Sequence, residues 1–385
     1  MTLKLHYIIN RYLIILLMLG LCGQASAQEK GGVAGFLKKV GTLIDSMTVR
    51  GIDRNYIDAP KEPWQIIVRG NLNQSTMELE SKGTVLGTDY SITPYMKTEP
   101  SQYVGLWAGY RGYGFGYTVN VGGDRGIHLT FGATGSSYGV NVRINTFRND
   151  EPEIDISSSP APEEEDIGSP YMHLTDPIKV RTVIANAYYL FNGKRFSYCA
   201  AYDQSVFQKR SAGSLLAGAM YYYGRINYAS DANAPLIYLM HGLGRVKTWQ
   251  GSVGAGYAYN WVPARGLLVS AMAMPMLTFV NKLKAYGYSS NLLQLLADPY
   301  TDNLEISDEE WNEWLYNNLR ITSAGDKYFN SGMTLNFDAR LSLTYNFGRY
   351  FVNIFGQFNN MRYHHENSRG NMNDWYVNTS IGLRL

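Results

Sequence analysis

This sequence is short of several things that usually guide a reading, and each shortage excludes something. No apolar run approaches the ~20 residues that a spanning helix needs; the best candidate is Leu13–Leu21. There are two cysteines, Cys22 and Cys199. Cys22 falls in a leader, so no internal disulfide is expected, and Cys199 reads as a small buried side chain. Basic and acidic residues nearly balance, 34 against 32, which removes the electrostatic footprint of a nucleic-acid binder. Zinc-ligand spacing and a phosphate-cradling loop are missing too. The acidic runs lack the spaced ligands and turn glycine of a calcium loop. No metal and no cofactor is implied.

What is present begins with an export leader. Lys4 and Arg11 precede the short apolar run, and Ala25-Ser26-Ala27 supplies a small-residue cleavage site, so the mature chain is expected to start at Gln28. A lipoprotein reading through Cys22 is opposed by bulky Leu21, where such a signal needs a small residue. Removing residues 1–27 takes away Lys4 and Arg11 and no acid, leaving 32 charges of each sign. Phe36, Leu37, Val40, Leu43, Ile44 and Met47 recur at helical spacing. A short amphipathic periplasmic helix is therefore expected within a 28–63 segment, followed by a main domain over 64–385.

That domain is dominated by alternation. From 334 to 347, Leu335, Phe337, Ala339, Leu341, Leu343, Tyr345 and Phe347 share one face of a strand, and Thr334, Asn336, Asp338, Arg340, Ser342, Thr344 and Asn346 share the other. Successive strand side chains point to opposite faces, so this is a ribbon with an oily and a wet side. In an exported chain with 31 tyrosines, 14 phenylalanines and 39 glycines, recurrent ribbons of this kind predict an all-β, transmembrane antiparallel β-barrel, lipid outside and a polar lumen inside. The implied location is the outer membrane of a Gram-negative bacterium. The implied partners are outer-membrane lipid and the barrel-assembly machinery.

The strand number follows from parity. Such barrels have short periplasmic turns, long outer loops and an even count. The shortest turns are Arg111-Gly112, Gly135–Ser137, Asn192–Lys194, Pro263–Gly266 and Gly348-Arg349, and the longest connections are 149–177, 225–246 and 287–328. All fall on their proper sides if 64–80 and 86–98 count as one strand and 195–224 supplies one net crossing. That gives twelve strands. Counting every alternating segment gives about fourteen and puts the acidic 149–177 loop in the periplasm.

Candidate functional residues are polar groups at membrane depth. Asp203, Gln204, Gln208, Lys209 and Arg210 crowd one segment. Charge on a lipid face costs about 2–4 kcal/mol per Lys or Arg, so these read either as an inward charged constriction or as a simple turn. Asp338 and Arg340 share a wet face, and Arg143, His128 and Arg384 sit on inward faces elsewhere. Opposite charges across a lumen either line a pore or lock a narrow barrel through ion pairs. Met272, Met274 and Met276 alternate with Ala271, Ala273 and Pro275, giving a strand apolar on both faces, with packing the default role. The outer loops are acidic over 149–166 and 302–313, and Ser307 with Glu310 forms a capping box. A lipid-modifying enzyme would need an activated serine, yet no His-x-Ser pair occurs. No catalytic residue is assigned.

Arg50–Ile57 (RGIDRNYI), Tyr188–Tyr198 (YYLFNGKRFSY) and Gln208–Ser214 (QKRSAGS) resemble runs of an outer-membrane barrel family of unknown function from Bacteroides-type bacteria. The resemblance covers about residue 45 to the C-terminus. It implies the location and assigns no activity. Three readings remain: a channel or binding barrel for a small polar or amphipathic solute, a lipid- or lipopolysaccharide-modifying enzyme, and a structural or surface-interaction barrel.

Overall fold

In the computed structural model, the ribbon at 334–347 has the two faces that its period requires. Asn336, Asp338, Ser342 and Thr344 are buried, while Leu335, Leu341, Leu343, Tyr345 and Phe347 are exposed, Leu341 by 64%. The structure describes residues 51–385 except 86–87, 99, 123–125, 150–152, 160–176, 228–242, 292–313, 315–316, 319 and 366–367. The export leader, the amphipathic helix and most of the two acidic loops lie outside the described residues.

Twelve antiparallel strands close on themselves. In chain order, after a two-residue β1 (Ile57–Asp58), the wall starts with β2 (Trp64–Val85). Next to β2 comes the hairpin extension β3 (Thr88–Lys97), then wall strands β4 (Ser101–Tyr110), β5 (Tyr113–Gly122), β6 (Ile127–Thr134) and β7 (Tyr138–Asn149). After β8 (Glu153–Ser159) and β9 (Ile178–Leu190), the chain forms helix α1 (Tyr198–Tyr202) and the two-residue β10 (Phe207–Gln208). The wall resumes with β11 (Ala212–Asn227), β12 (Leu243–Ala264) and β13 (Leu267–Ser290). Beyond β14 (Ile321–Asn330) it finishes with β15 (Thr334–Phe347), β16 (Tyr350–His365) and β17 (Ser368–Arg384). Each wall strand pairs with the next in sequence, and β17 returns to β2 from Ser368↔Ser81 to Arg384↔Gln65. Trp64 and Leu385 complete the seam with reciprocal backbone bonds of 3.1 and 2.9 Å.

The remaining strands explain why a naive count overshoots. The 86–98 segment contains β3, which pairs with the far half of β2 and carries β8 on its other edge. It lengthens the wall and adds no crossing. Likewise β14 pairs with the far half of β13, beyond the reach of β15. The 195–224 region makes one net crossing, through β11. The turns at 111–112, 135–137, 265–266 and 348–349 gather at the end where the barrel begins and finishes, the turn end. At Arg111-Gly112 both residues take positive φ, 51° and 89°, as a two-residue hairpin turn between twisted strands demands.

The outer surface carries Leu106, Phe115, Tyr117, Leu215, Val253, Phe279, Ile354 and Ile381, all well exposed. The inner surface is rich in amides, hydroxyls and charge, with Asn71, Thr118, Asn186, Gln250, Asn336, Asn353 and Gln357 all buried. This inversion of the soluble pattern is the lipid-facing arrangement. An arginine at Leu341 should cost about 2–4 kcal/mol in denaturant unfolding from phospholipid vesicles. A water-exposed position would tolerate it within about 0.5 kcal/mol, and that smaller value would contradict a lipid-facing wall.

Candidate functional site

Between β9 and β11 the chain does not turn directly; the 191–211 insertion sends residues 196–208 into the turn end of the lumen. Ser197 starts α1 by accepting the Ala200 N–H at 3.1 Å, an N-cap. Gln204 ends the excursion in the left-handed region, φ 59°. Asp203 Oδ1 accepts the Ser205 N–H at 2.8 Å, which tightens the same bend. Phe196, Tyr198, Cys199 and Ala201 are fully buried.

Backbone polar groups buried in this way need partners, and the barrel wall supplies them. Ser342 Oγ donates to the Ala201 carbonyl at 2.5 Å and Asn260 Nδ2 to the Ser197 carbonyl at 2.9 Å. Gln65 Nε2 and Arg384 Nη2 both donate to the Gln204 carbonyl at 2.8 Å. Arg384 also reaches Asn346 Oδ1 at 2.6 Å and lies between the rings of Phe207 and Phe351. The Thr134 hydroxyl donates to Asp203. Gln208 accepts the Ser197 N–H at 2.9 Å and donates to the carbonyls of Arg195 and Arg210.

Of the crowded segment, Asp203, Gln204 and Gln208 are therefore inside the barrel end. Lys209 and Arg210 stand exposed instead. Pairing of β10 with β1 turns that stretch outward, with Lys209 Nζ 3.9 Å from Asp58 and Arg210 near the Tyr56 ring.

Asp338 and Arg340 meet the insertion from the wall. Arg340 Nη1 donates to the Tyr198 hydroxyl at 2.5 Å, and Nη2 donates to the Tyr188 hydroxyl. Tyr188 in turn donates to Asp338 Oδ2 at 2.6 Å, and Arg340 lies 3.5 Å from the same oxygen. Gln357 Nε2 reaches Asp338 Oδ1 at 3.4 Å, while Asn141 donates to Tyr198 at 2.8 Å. The guanidinium also packs 4.6 Å over the Tyr188 ring. Four wall strands and the insertion converge on one ion pair.

A second group lies across the lumen. Arg143 Nη2 bridges Asp374 Oδ2 at 3.1 Å and stacks over Tyr376 at 4.8 Å. Ser75 donates to Asp374, Tyr376 to Asn71, and His128 stacks on Tyr376 with 5.4 Å between centroids. Arg69 packs over Trp107, which lies flat along the wall where Gly109, Gly114 and Gly116 leave no Cβ in its way. Opposite these, Met272, Met274 and Met276 face inward with Leu216, Met220 and Tyr222 as an apolar cluster. The methionine face predicted to pack does so, against the interior. The lumen is thus amphipathic in cross-section.

Sequence reasoning named Asp338, Arg340, Arg143, Arg384 and His128 as inward, and all are buried. It missed Tyr188, Asp374 and Tyr376, which parity along β9 and β17 would have placed inward. It also missed Arg69, whose strand was read without assigning its faces.

A family model described as "Domain of unknown function (DUF4421)" matches residues 51–383. No match is found among curated proteins. Among solved structures, the outer membrane protease OmpT of Escherichia coli is 7% identical, with 84% of this chain and 97% of that one covered and a TM-score of 0.36. An outer membrane channel of Pseudomonas putida F1 is 12% identical, covering 85% and 97%, at 0.29. The translocator domain of the autotransporter NalP of Neisseria meningitidis is 10% identical, covering 91% and 95%, at 0.31. Their stated roles differ, and likeness at this level assigns none of them to this chain.

Breaking one partner of the buried pair should be far worse than removing both. Arg340→Gln is expected to lose about 3–5 kcal/mol in denaturant unfolding because it strands a buried carboxylate. The double variant Asp338→Asn/Arg340→Gln should recover most of that loss. Additive losses would show that the two groups are not coupled.

Proposed function

The chain belongs to the family described as the domain of unknown function DUF4421; because that premise assigns no activity, we propose from its own lumen that it is an outer-membrane barrel. It admits a small polar or amphipathic solute and is closed at its turn end by the 191–211 insertion. The observation that carries this reading is a set of buried lumen atoms with no hydrogen-bond partner from the protein. They include Asn71 Nδ2, Asn73 Oδ1, Arg69 Nε, Arg143 Nη1 and Asn186 Oδ1. They belong to β2, β7 and β9, along the arc that runs from β9 through β7, β6, β5 and β4 to β2.

An unsatisfied buried polar group costs about 1–3 kcal/mol, so a barrel built for rigidity alone gains nothing by keeping several along one wall. A wall that receives water or a polar solute has a use for them. The methionine cluster facing this arc gives the other half of an amphipathic path. Twelve strands fall between barrels just filled by side chains and those that leave a water channel. Here the insertion makes the difference, since its bonds to the wall hold it in the lumen. Passage therefore requires the insertion to leave its seat, so it serves as the gate. The lipid-modifying and surface-interaction readings have no such observation behind them.

Leu190 and Leu216 are register partners on β9 and β11, so the wall does not need the insertion to continue. Replacing residues 194–211 with a short Gly-Ser turn should convert a barrel that is silent or rarely open in planar bilayers into one with discrete, salt-dependent conductance steps. Silence from the shortened barrel, shown folded by its heat-modifiable mobility on a gel, would overturn the solute-path reading.

A further inference from the structure

A cavity of about 80 Å³ inside the barrel is lined in part by the arginines of both ion pairs. Its wall carries three guanidiniums, Arg69, Arg143 and Arg340, against one carboxylate, Asp203. Arg340 and Arg143 have carboxylates of their own, Asp338 at 3.5 Å and Asp374 at 3.1 Å, neither of which lines the cavity. Asp203 is engaged by Thr134 and by the Ser205 N–H. Arg69 has no carboxylate within ion-pair distance among the described residues. Its contacts are Thr130 at 3.5 Å and the Trp107 ring, and its Nε has no partner. Arg143 is 8% exposed, and its Nη1 has no partner either.

We propose that this cavity is a binding site for a small oxyanion, a carboxylate or phosphate group held between Arg69 and Arg143. The volume supports a ligand of a few heavy atoms, because about 10–15 Å³ of such space already holds one water. Charge decides its sign. Asp203 acts on Arg69 only from beyond ion-pair distance; a guanidinium drawn from water with no close counter-charge is costly, and its planar fork of N–H donors matches a carboxylate or phosphate oxygen pair. The Asn186 amide on the same wall, with its oxygen unpartnered, suits the protonated or hydroxyl-bearing edge of such a solute. The site deepens the reading of the lumen as a solute path by naming the charge of the solute.

The test is equilibrium binding to the refolded full-length barrel in detergent, by titration calorimetry at constant ionic strength. Sodium acetate and inorganic phosphate are the probes, and acetamide is the neutral isostere of acetate. Saturable binding of either anion, with acetamide inert, is expected, and the stronger of the two identifies the group. Arg69→Gln should weaken that binding about tenfold, the size of one charge-assisted hydrogen bond. Asp203, the acid on the same cavity wall, keeps its Thr134 and Ser205 hydrogen bonds in that variant. Arg69→Lys should retain part of the affinity.

Equal responses to acetate and acetamide, or unchanged anion affinity in Arg69→Gln, would overturn the proposal. Should Arg69→Gln fail to fold, the acetate–acetamide contrast on the native barrel still decides. Binding is read without passage. Acetate binding by the native barrel with silence from the shortened one upholds the site and removes the path, whereas a shortened barrel that conducts beside a native one indifferent to acetate does the reverse.

Discussion

Everything in this structure depends on the seam between β2 and β17. A sheet edge left open in lipid would carry a row of unpaired N–H and C=O groups, each costly to bury, so a spanning sheet must close. Closure by these two strands fixes the count at twelve, and twelve fixes how far apart opposite walls stand. At that separation arginine and tyrosine side chains from one wall reach groups on another. Arg143 of β7 meets Asp374 of β17, and Tyr188 of β9 meets Asp338 of β15. The Arg143–Asp374 ion pair and the Tyr188–Asp338 hydrogen bond are consequences of the circumference.

The same geometry governs the insertion. A single helical turn with its flanks would be an unstable fragment alone, since so short a helix leaves most of its backbone groups unsatisfied. Inside the barrel those groups find Ser342, Asn260, Gln65 and Arg384 waiting at the turn end. The wall thus folds the insertion, and the insertion fills the wall. Gln65 and Arg384, distant in sequence, serve one carbonyl because the β2–β17 seam makes them register partners.

Much of this was legible in the residues themselves. The ribbon at 334–347 announces its two faces through a strict period of two, and turn lengths settle the strand number by parity. The burial of Asp338, Arg340, Arg143 and Arg384 follows from the same period. The insertion was harder to see, because 195–211 has no period at all. Its cluster of polar residues reads as lumen lining or as a turn with equal ease, and the outward turn of Lys209 and Arg210 depends on pairing with Ile57 and Asp58 far upstream. The partnerships across the lumen were beyond reach for a different reason. Arg143 and Asp374 are 231 residues apart, and their meeting requires the register of every strand between them.

Closure of the barrel rests on the insertion being seated in the lumen, and Cys199 reports on that seat. Its thiol is fully buried and donates to the Gly135 carbonyl at 3.3 Å. Labelling by a bulky water-soluble maleimide, mapped to the Cys199 peptide by mass spectrometry, should be slow in the folded barrel and fast after denaturation. Rapid labelling of folded protein in native membranes would mean that the insertion does not occupy the lumen and that the barrel is not closed by it.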